Sequence, residues 1–292
     1  MKPSFRSGYA ALIGRPNVGK STFLNSVLGQ KIAIVSRRRQ TTRNRITGIK
    51  TVSGGQIIFL DTPGIHKPQH ALGEAMLDAS KKALQETDAV IFVTDAEKDD
   101  SEVLGLLSEI SVPVVMMLNK ADLRRPEEIE NILREYSVLF RFAFAAAVSS
   151  HKGTGIEPLI SRLLELFPEG PKYFDDDMVT DQYERFMASE IIREKIIKNT
   201  SEEVPHSAVV EVEDWKDQGN GRVSIRAVIY IEREGQKGIL IGKKGEMLKR
   251  IGQQARMDIE DLLAAKVFLE LWVKVRKGWR DDKKMLHALG YR

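Results

Sequence analysis

The sequence predicts an α/β domain with a mostly parallel, doubly wound sheet, followed by a small α+β domain. Three observations predict it. Short apolar runs alternate with amphipathic stretches through the first half, as strands alternate with crossover helices. The stretch 167–177, FPEGPKYFDDD, gathers two prolines, a glycine and an acidic run, which marks a boundary. Beyond it the order changes to helix, paired strands, helix and a last strand. The expected domains are 1–170 and 181–292, with 171–180 as a linker.

Strands are expected at Tyr9–Ile13, Gln56–Leu60, Ala89–Thr94, Pro113–Leu118 and Phe142–Val148. Helical periodicity follows at Ser21–Leu28, Gly73–Glu86, Ser101–Ile110 and Gly155–Phe167. In the second half Gln182–Asn199 reads as a helix. Ala208–Asp214 and Arg222–Ile231 alternate like paired strands joined by a turn through Gly219-Asn220-Gly221. A short apolar stretch ends in Gly242-Lys243-Lys244-Gly245. The helix Glu246–Ala264, the strand Val267–Arg276 and a last helix Trp279–Ala288 complete the reading. No internal repeat or low-complexity tract is present.

Of 292 residues, 42% are apolar and 29% charged, the composition of a globular protein with a core. No apolar run is long enough to span a bilayer. Met1–Ser7 is short and basic, and the apolar segment after it runs into a glycine-rich motif, so it reads as a strand and not as a signal peptide. The absence of cysteine excludes disulfides, thiolate zinc sites and cysteine nucleophiles, and fits the cytosol. Net charge is only +4, but two basic clusters stand out. One is Arg37, Arg38, Arg39, Arg43, Arg45 and Lys50, with no acid among residues 37–50; the other is Lys274, Arg276, Lys277, Arg280, Lys283 and Lys284. Each is either a phosphate-attracting surface or a solvated basic face.

Gly14-Arg15-Pro16-Asn17-Val18-Gly19-Lys20-Ser21 matches G-x-x-x-x-G-K-[ST] between an expected strand and an expected helix, whose first turn continues with Thr22. The glycines let backbone N–H groups curl around phosphates, and the helix N-terminus adds partial positive charge. Lys20 is expected at the β- and γ-phosphates and Ser21 on Mg²⁺. Asp61-Thr62-Pro63-Gly64 closes a strand; Asp61 can hold Mg²⁺ through water, and the Gly64 N–H can approach the γ-phosphate. Asn119-Lys120-Ala121-Asp122 closes another. An ionised carboxylate only accepts, so Asp122 can take both donors of guanine, N1–H and the 2-amino group, where adenine offers neither. Val148-Ser149-Ser150 can present N–H groups to guanine O6. The expected ligands are GTP or GDP with Mg²⁺.

The order of these motifs resembles the G domains of the translation-factor-related GTPases. By that resemblance Thr42, within Gln40-Thr41-Thr42-Arg43, is the switch I threonine that joins Ser21 and Asp61 at Mg²⁺ when the γ-phosphate is present; Thr41 is its rival. Ile65 stands where Ras-like enzymes place a water-orienting glutamine, so intrinsic hydrolysis is expected to be slow. In related GTPases an asparagine at the position of Asn17 helps bind K⁺. Asn17 has that reading and a second one, a loop residue bonded to its own backbone. Lys20, Thr42 and Asn17 are the expected catalytic set.

Ile241-Gly242-Lys243-Lys244-Gly245-Glu246-Met247-Leu248 resembles the I-G-x-x-G-x-x-[IL] core of KH domains, which clamp about four nucleotides of single strand at this loop. Two strands before it, helical segments on both sides and a strand after it give the order of a type II KH domain. Ile239, Ile241, Leu248 and Ile251 are expected to floor the groove, with Lys274, Arg276, Lys277 and Arg280 as further phosphate contacts. A G domain followed by such a domain resembles a family of bacterial ribosome-assembly GTPases over nearly the whole chain. The resemblance implies binding near the 3′ end of small-subunit ribosomal RNA in the 30S precursor. It also implies a cytoplasmic monomer with peripheral association at the inner membrane. An RNA-binding module with nucleotide as a structural ligand is the alternative. Relatives of the iron-transport type need membrane spans, the tRNA-modifying type a cysteine near its C-terminus, and the double-domain type a second phosphate loop.

Overall fold

The computed structural model describes residues 5–36, 38 and 41–291. Arg37, Arg39 and Gln40 of the first basic run, and the basic start Met1–Ser4, lie outside the described residues. The chain forms two compact units with the main break between Asp181 and Gln182.

The first unit runs β1 (Arg6–Ile13), α1 (Lys20–Leu28), β2 (Ile46–Val52), β3 (Gly55–Asp61), α2 (Ala71–Gln85), β4 (Ala89–Thr94), α3 (Ser101–Leu107), β5 (Val114–Leu118), α4 (Pro126–Leu139), β6 (Phe144–Ala147) and α5 (Ile156–Glu165). The sheet order is β2-β3-β1-β4-β5-β6. Every pairing is parallel except β2 with β3. β4 and β5 are buried at every residue, as strands covered on both faces must be. This topology brings the carboxyl ends of β1, β3, β5 and β6 to one edge, where ligands sit in open α/β sheets.

Two elements of the first unit were absent from the sequence expectation. β2 hides behind the basic run and contains Gly48 and Lys50; it puts Lys50 in a strand and splits that run. α4 begins with Pro126 at its first turn, and the Glu128 carboxylate accepts from the Arg125 backbone N–H at 3.2 Å. None of its residues is fully buried, although the helix is amphipathic.

The stretch 171–180 is not an independent linker, and the first unit extends past residue 170 to Asp181. Oε1 of the buried Gln56 accepts from the backbone N–H groups of Tyr173 (2.9 Å) and Phe174 (3.0 Å), and its Nε2 donates to the Phe174 carbonyl (2.9 Å). Ile49 N–H donates to the Val179 carbonyl at 2.8 Å, and Thr180 Oγ1 to that of Thr47 at 2.7 Å. These bonds satisfy part of the open edge of β2.

The second unit runs α6 (Glu184–Asn199), α7 (Val204–Ser207), β7 (Val209–Asp217), β8 (Arg222–Ile231), α8 (Glu234–Ile241), α9 (Glu246–Leu263), β9 (Lys266–Val275) and α10 (Lys283–Ala288). β7 and β8 are antiparallel, and β9 joins β8 in parallel. Alternate residues of β8, Ile225, Ala227, Ile229 and Ile231, form a core with Ala188, Ile192 and Ile196 of α6 and Ile251, Ala255 and Ile259 of α9. The helix–strand–strand–helix–helix–strand order is that of a type II KH fold. α8 supplies the helical segment expected before the G-x-x-G loop.

Candidate functional site

The phosphate loop follows β1 and curls into α1. Gly19, at φ 100°, caps α1, and a Cβ there would stand 2.1 Å from Asn119 Nδ2. Gly64 lies so close to the loop that its Cβ would meet Pro16 N at 2.6 Å. The pocket between them is lined by Pro16, Asn17, Lys20, Ser21, Thr22 and Thr42, among others.

Three oxygen-bearing side chains converge in it. Ser21 Oγ donates to Asp61 Oδ2 at 2.6 Å, Ser21 Oγ and Thr42 Oγ1 lie 2.8 Å apart, and Thr42 Oγ1 is 3.4 Å from Asp61 Oδ2. Thr41 instead donates to the Arg38 carbonyl at 2.7 Å. Burial pushes the Asp61 carboxyl up to about 6, against Lys20 and the two hydroxyls. Its Oδ1 is buried and accepts no hydrogen bond among the described residues. An all-oxygen donor set with one buried, incompletely bonded carboxylate fits a hard cation such as Mg²⁺. Lys20 Nζ donates to the Gly14 and Arg15 carbonyls at 2.9 and 3.0 Å, and burial pulls it down to about 8.

Not every expected side chain faces the pocket. Arg15 turns away, donating to Asp95 and Asp100 at 3.0 and 2.5 Å, so its side chain does not face a phosphate. Thr62 Oγ1 donates back to the Leu12 carbonyl at 2.7 Å. Ile65 is buried with Ala11, Ile13 and Leu60. Asn17 sits at φ 68° on the pocket wall.

On the base side, Asn119 works as a strut. Its Nδ2 donates to the Val18 carbonyl at 2.8 Å, and its Oδ1 accepts from Ser150 N (3.1 Å) and Oγ (2.8 Å). Ser149 Oγ donates to Asp122 Oδ1 at 2.6 Å, and this bond holds the Asp122 carboxyl below the usual range. Lys120 has φ 59° and donates to Asp95 at 2.6 Å.

In the second unit the G-x-x-G loop joins α8 to α9, with Gly242, Lys244 and Gly245 at positive φ. A Cβ on Gly242 would meet Met247 Cβ at 2.7 Å. Lys243 and Lys244 are exposed, and Ile241 and Leu248 are half-buried. A groove beside the loop is lined by Gly245 of the loop, by Leu248, Lys249 and Arg256 of α9 and by Phe268 and Leu271 of β9. Lys249, Arg256 and Phe268 were missed in the sequence; the helical spacing 245, 248, 249, 252, 256 could have found the first two. Ile251 is fully buried in the core and does not floor the groove. Half of the C-terminal basic cluster is paired: Lys274 with Glu213 (2.9 Å), Arg276 with Asp282 (3.5 Å) and Arg280 with Glu232. Lys277 is exposed.

A phosphate loop, a guanine-type loop and a carboxylate–hydroxyl trio on a doubly wound sheet, followed by a type II KH unit, define a GTPase with an appended nucleic-acid-binding module. Residues 9–120 match the family model for 50S ribosome-binding GTPases, and residues 203–280 that for KH domains. Two solved structures align over 98% of this chain and 99% of theirs, at 36% identity and a TM-score of 0.94. One is Era in complex with MgGDPNP and nucleotides 1506–1542 of 16S ribosomal RNA; the other is a point variant of Era from Aquifex aeolicus bound to GDP·AlF4⁻. The chain belongs to the Era family of GTPases and is a GTP hydrolase.

Proposed function

We propose that this chain cleaves GTP in the pocket of the first unit and binds the 3′ region of small-subunit ribosomal RNA with its KH unit, acting in 30S assembly and rRNA maturation. The observation that carries the reading is the convergence of Ser21, Thr42 and Asp61 in a chain that also presents the Gly242–Gly245 loop beside an open groove. The family model covering residues 9–120 is described by the large subunit. The relatives that align over both units include one holding a 16S fragment, which favours small-subunit RNA.

In this reading Lys20 holds the β- and γ-phosphates, and Gly64 offers its N–H to the γ-phosphate. Ser21 and Thr42, with Asp61 behind a water, hold Mg²⁺, which offsets phosphate charge. Water attacks the γ-phosphorus in line, the bond to the β–γ bridging oxygen breaks, and GDP and phosphate leave. Buried Ile65 has no polar group to orient that water, so intrinsic turnover is slow. Asn17 would hold K⁺, which would supply compensating positive charge. Asp122 accepts from the guanine donors; the backbone N–H groups of Ser149 and Ser150 are instead engaged by the Thr154 carbonyl (3.0 Å) and Asn119 Oδ1 (3.1 Å). Lys243 and Lys244 contact the RNA backbone, with Lys277 as a further contact. The reading extends to a cytoplasmic monomer with peripheral inner-membrane association. It rests on the resemblance alone; no helix among the described residues is long and apolar enough to cross a membrane.

Single-turnover phosphate release in K⁺ and in Na⁺ tests the site, and sequencing RNA crosslinked to the protein in cells tests the partner. Faster release in K⁺, a difference lost in Asn17→Ala, and reads from the 3′ end of small-subunit RNA are expected. Equal rates in the two salts reject the potassium role, and reads spread without preference reject the RNA assignment.

A further inference from the structure

We infer that Asp95 is a positioning residue for guanine recognition: it clasps the turn that carries Asp122 and fastens that turn to the phosphate loop. This rests on the proposal that Asp122 contacts the base.

Asp95 follows β4 directly and is buried. Its Oδ2 accepts from Lys120 Nζ at 2.6 Å, and its backbone carbonyl accepts from Arg124 Nη2. One residue thus holds the chain two positions before and two positions after Asp122. Lys120 is in the left-handed region, at φ 59°, a conformation that persists in a non-glycine residue when its surroundings hold it. The adjacent Asn119 N–H is fixed on the Thr94 carbonyl at 2.8 Å.

The other carboxylate oxygen, Oδ1, accepts from Arg15 Nη2 at 3.0 Å. Arg15 is held from its far side by Asp100 Oδ1, at 2.5 Å from Nε. Asp100 is in turn fixed, its Oδ2 accepting from Thr94 Oγ1 (2.6 Å) and Tyr136 OH (2.8 Å). The phosphate loop and the base-reading turn therefore meet on one carboxylate. Two cations need two acceptor oxygens there. An asparagine would turn its NH₂ toward one of them, donor against donor.

The structure separates the two acids by what they touch. Asp95 engages Lys120, Arg124 and Arg15, whereas Asp100 engages Arg15 and neither residue of the turn. The affinities of GDP and IDP, which lacks the 2-amino group, are measured for the parent, Asp95→Asn and Asp100→Asn. Circular dichroism checks that each is folded. In Asp95→Asn the GDP/IDP preference is expected to narrow about fivefold or more, the lower bound of ordinary site coupling. Asp100→Asn is expected to weaken both nucleotides alike and keep the ratio. A parental ratio in Asp95→Asn, or an equal narrowing in Asp100→Asn, overturns the inference. If Asp95→Asn does not fold, Asp95→Ser enters the same assay under the same criteria. A parent that binds GDP no tighter than ADP instead defeats the base reading on which the inference stands.

Discussion

Asp122 acts as an acceptor, and the Ser149 hydroxyl keeps it one: the 2.6 Å bond orients one oxygen and stabilises the ionised form. Replacing Asp122 by asparagine exchanges an acceptor for a donor and should favour xanthosine nucleotides, whose 2-carbonyl accepts. The expected outcome in competition binding is a swing of about tenfold or more from GTP towards XTP, because a site built on hydrogen bonds rejects a mismatched partner. A variant with the parent's GTP preference would show that Asp122 does not read the base. Asp95 supports a second prediction at this scale. Burial pushes its carboxyl up, but the Lys120 hydrogen bond and charge, the Glu97 backbone N–H and the Arg15 charge together outweigh it, so its net shift is downward. A depressed carboxylate contributes stability that is present above the ordinary carboxylate range and is lost as pH falls through its folded value. The melting temperature of Asp95→Asn should therefore lie below the parent's at neutral pH, and the gap should close in acid. A gap independent of pH would assign the loss to packing.

Among the elements, what was legible in the sequence follows from how each is buried. β4 and β5 are unbroken apolar runs, and α9 is strongly amphipathic, so their positions could be read directly. β2 is an edge strand interrupted by a glycine and a lysine, so it carries no strong alternation; α4 is amphipathic, and its period was there to be read although none of its residues is fully buried. The linker expectation failed for a different reason: Gln56 binds residues 173 and 174 across more than a hundred positions, a pairing no local pattern encodes. In the site, the phosphate-loop residues and Asp61 were legible because spacing defines them. The roles of Asp95 and Asp100 were not, since their partners come from beyond the ends of β1 and β5, from the end of β4 and from α4. For the loop between α8 and α9, Lys243→Asp with Lys244→Asp should weaken binding of a single-stranded RNA from the 3′ region of small-subunit rRNA. The log–log salt slope should become shallower by about one to two, as expected for two lost phosphate contacts. GTP affinity measured on the same double variant should stay at the parent's value. An unchanged salt slope would move the phosphate contacts elsewhere, to Lys249, Arg256 or Lys277.

Over the whole molecule, the nucleotide motifs all precede Asp181 and the G-x-x-G loop follows Gln182, so each activity has its own unit. What makes the chain a switch is whether nucleotide state is felt at the RNA site. Thr42 is the link on the nucleotide side: its hydroxyl meets Ser21 and Asp61, and the segment after it carries the buried Arg43 and then Arg45, paired with Glu86. A γ-phosphate that recruits Thr42 must act on that segment. The decisive measurement is the affinity of the full chain for the 3′ small-subunit RNA, at one salt concentration, with GDP and with a non-hydrolysable GTP analogue. A difference of about 5–150-fold is expected, corresponding to about 1–3 kcal/mol of coupling, and the RNA must shift the ratio of nucleotide affinities by the same factor. Equal RNA affinity in both nucleotide states would mean that the two units are merely tethered and that GTP does not gate RNA binding.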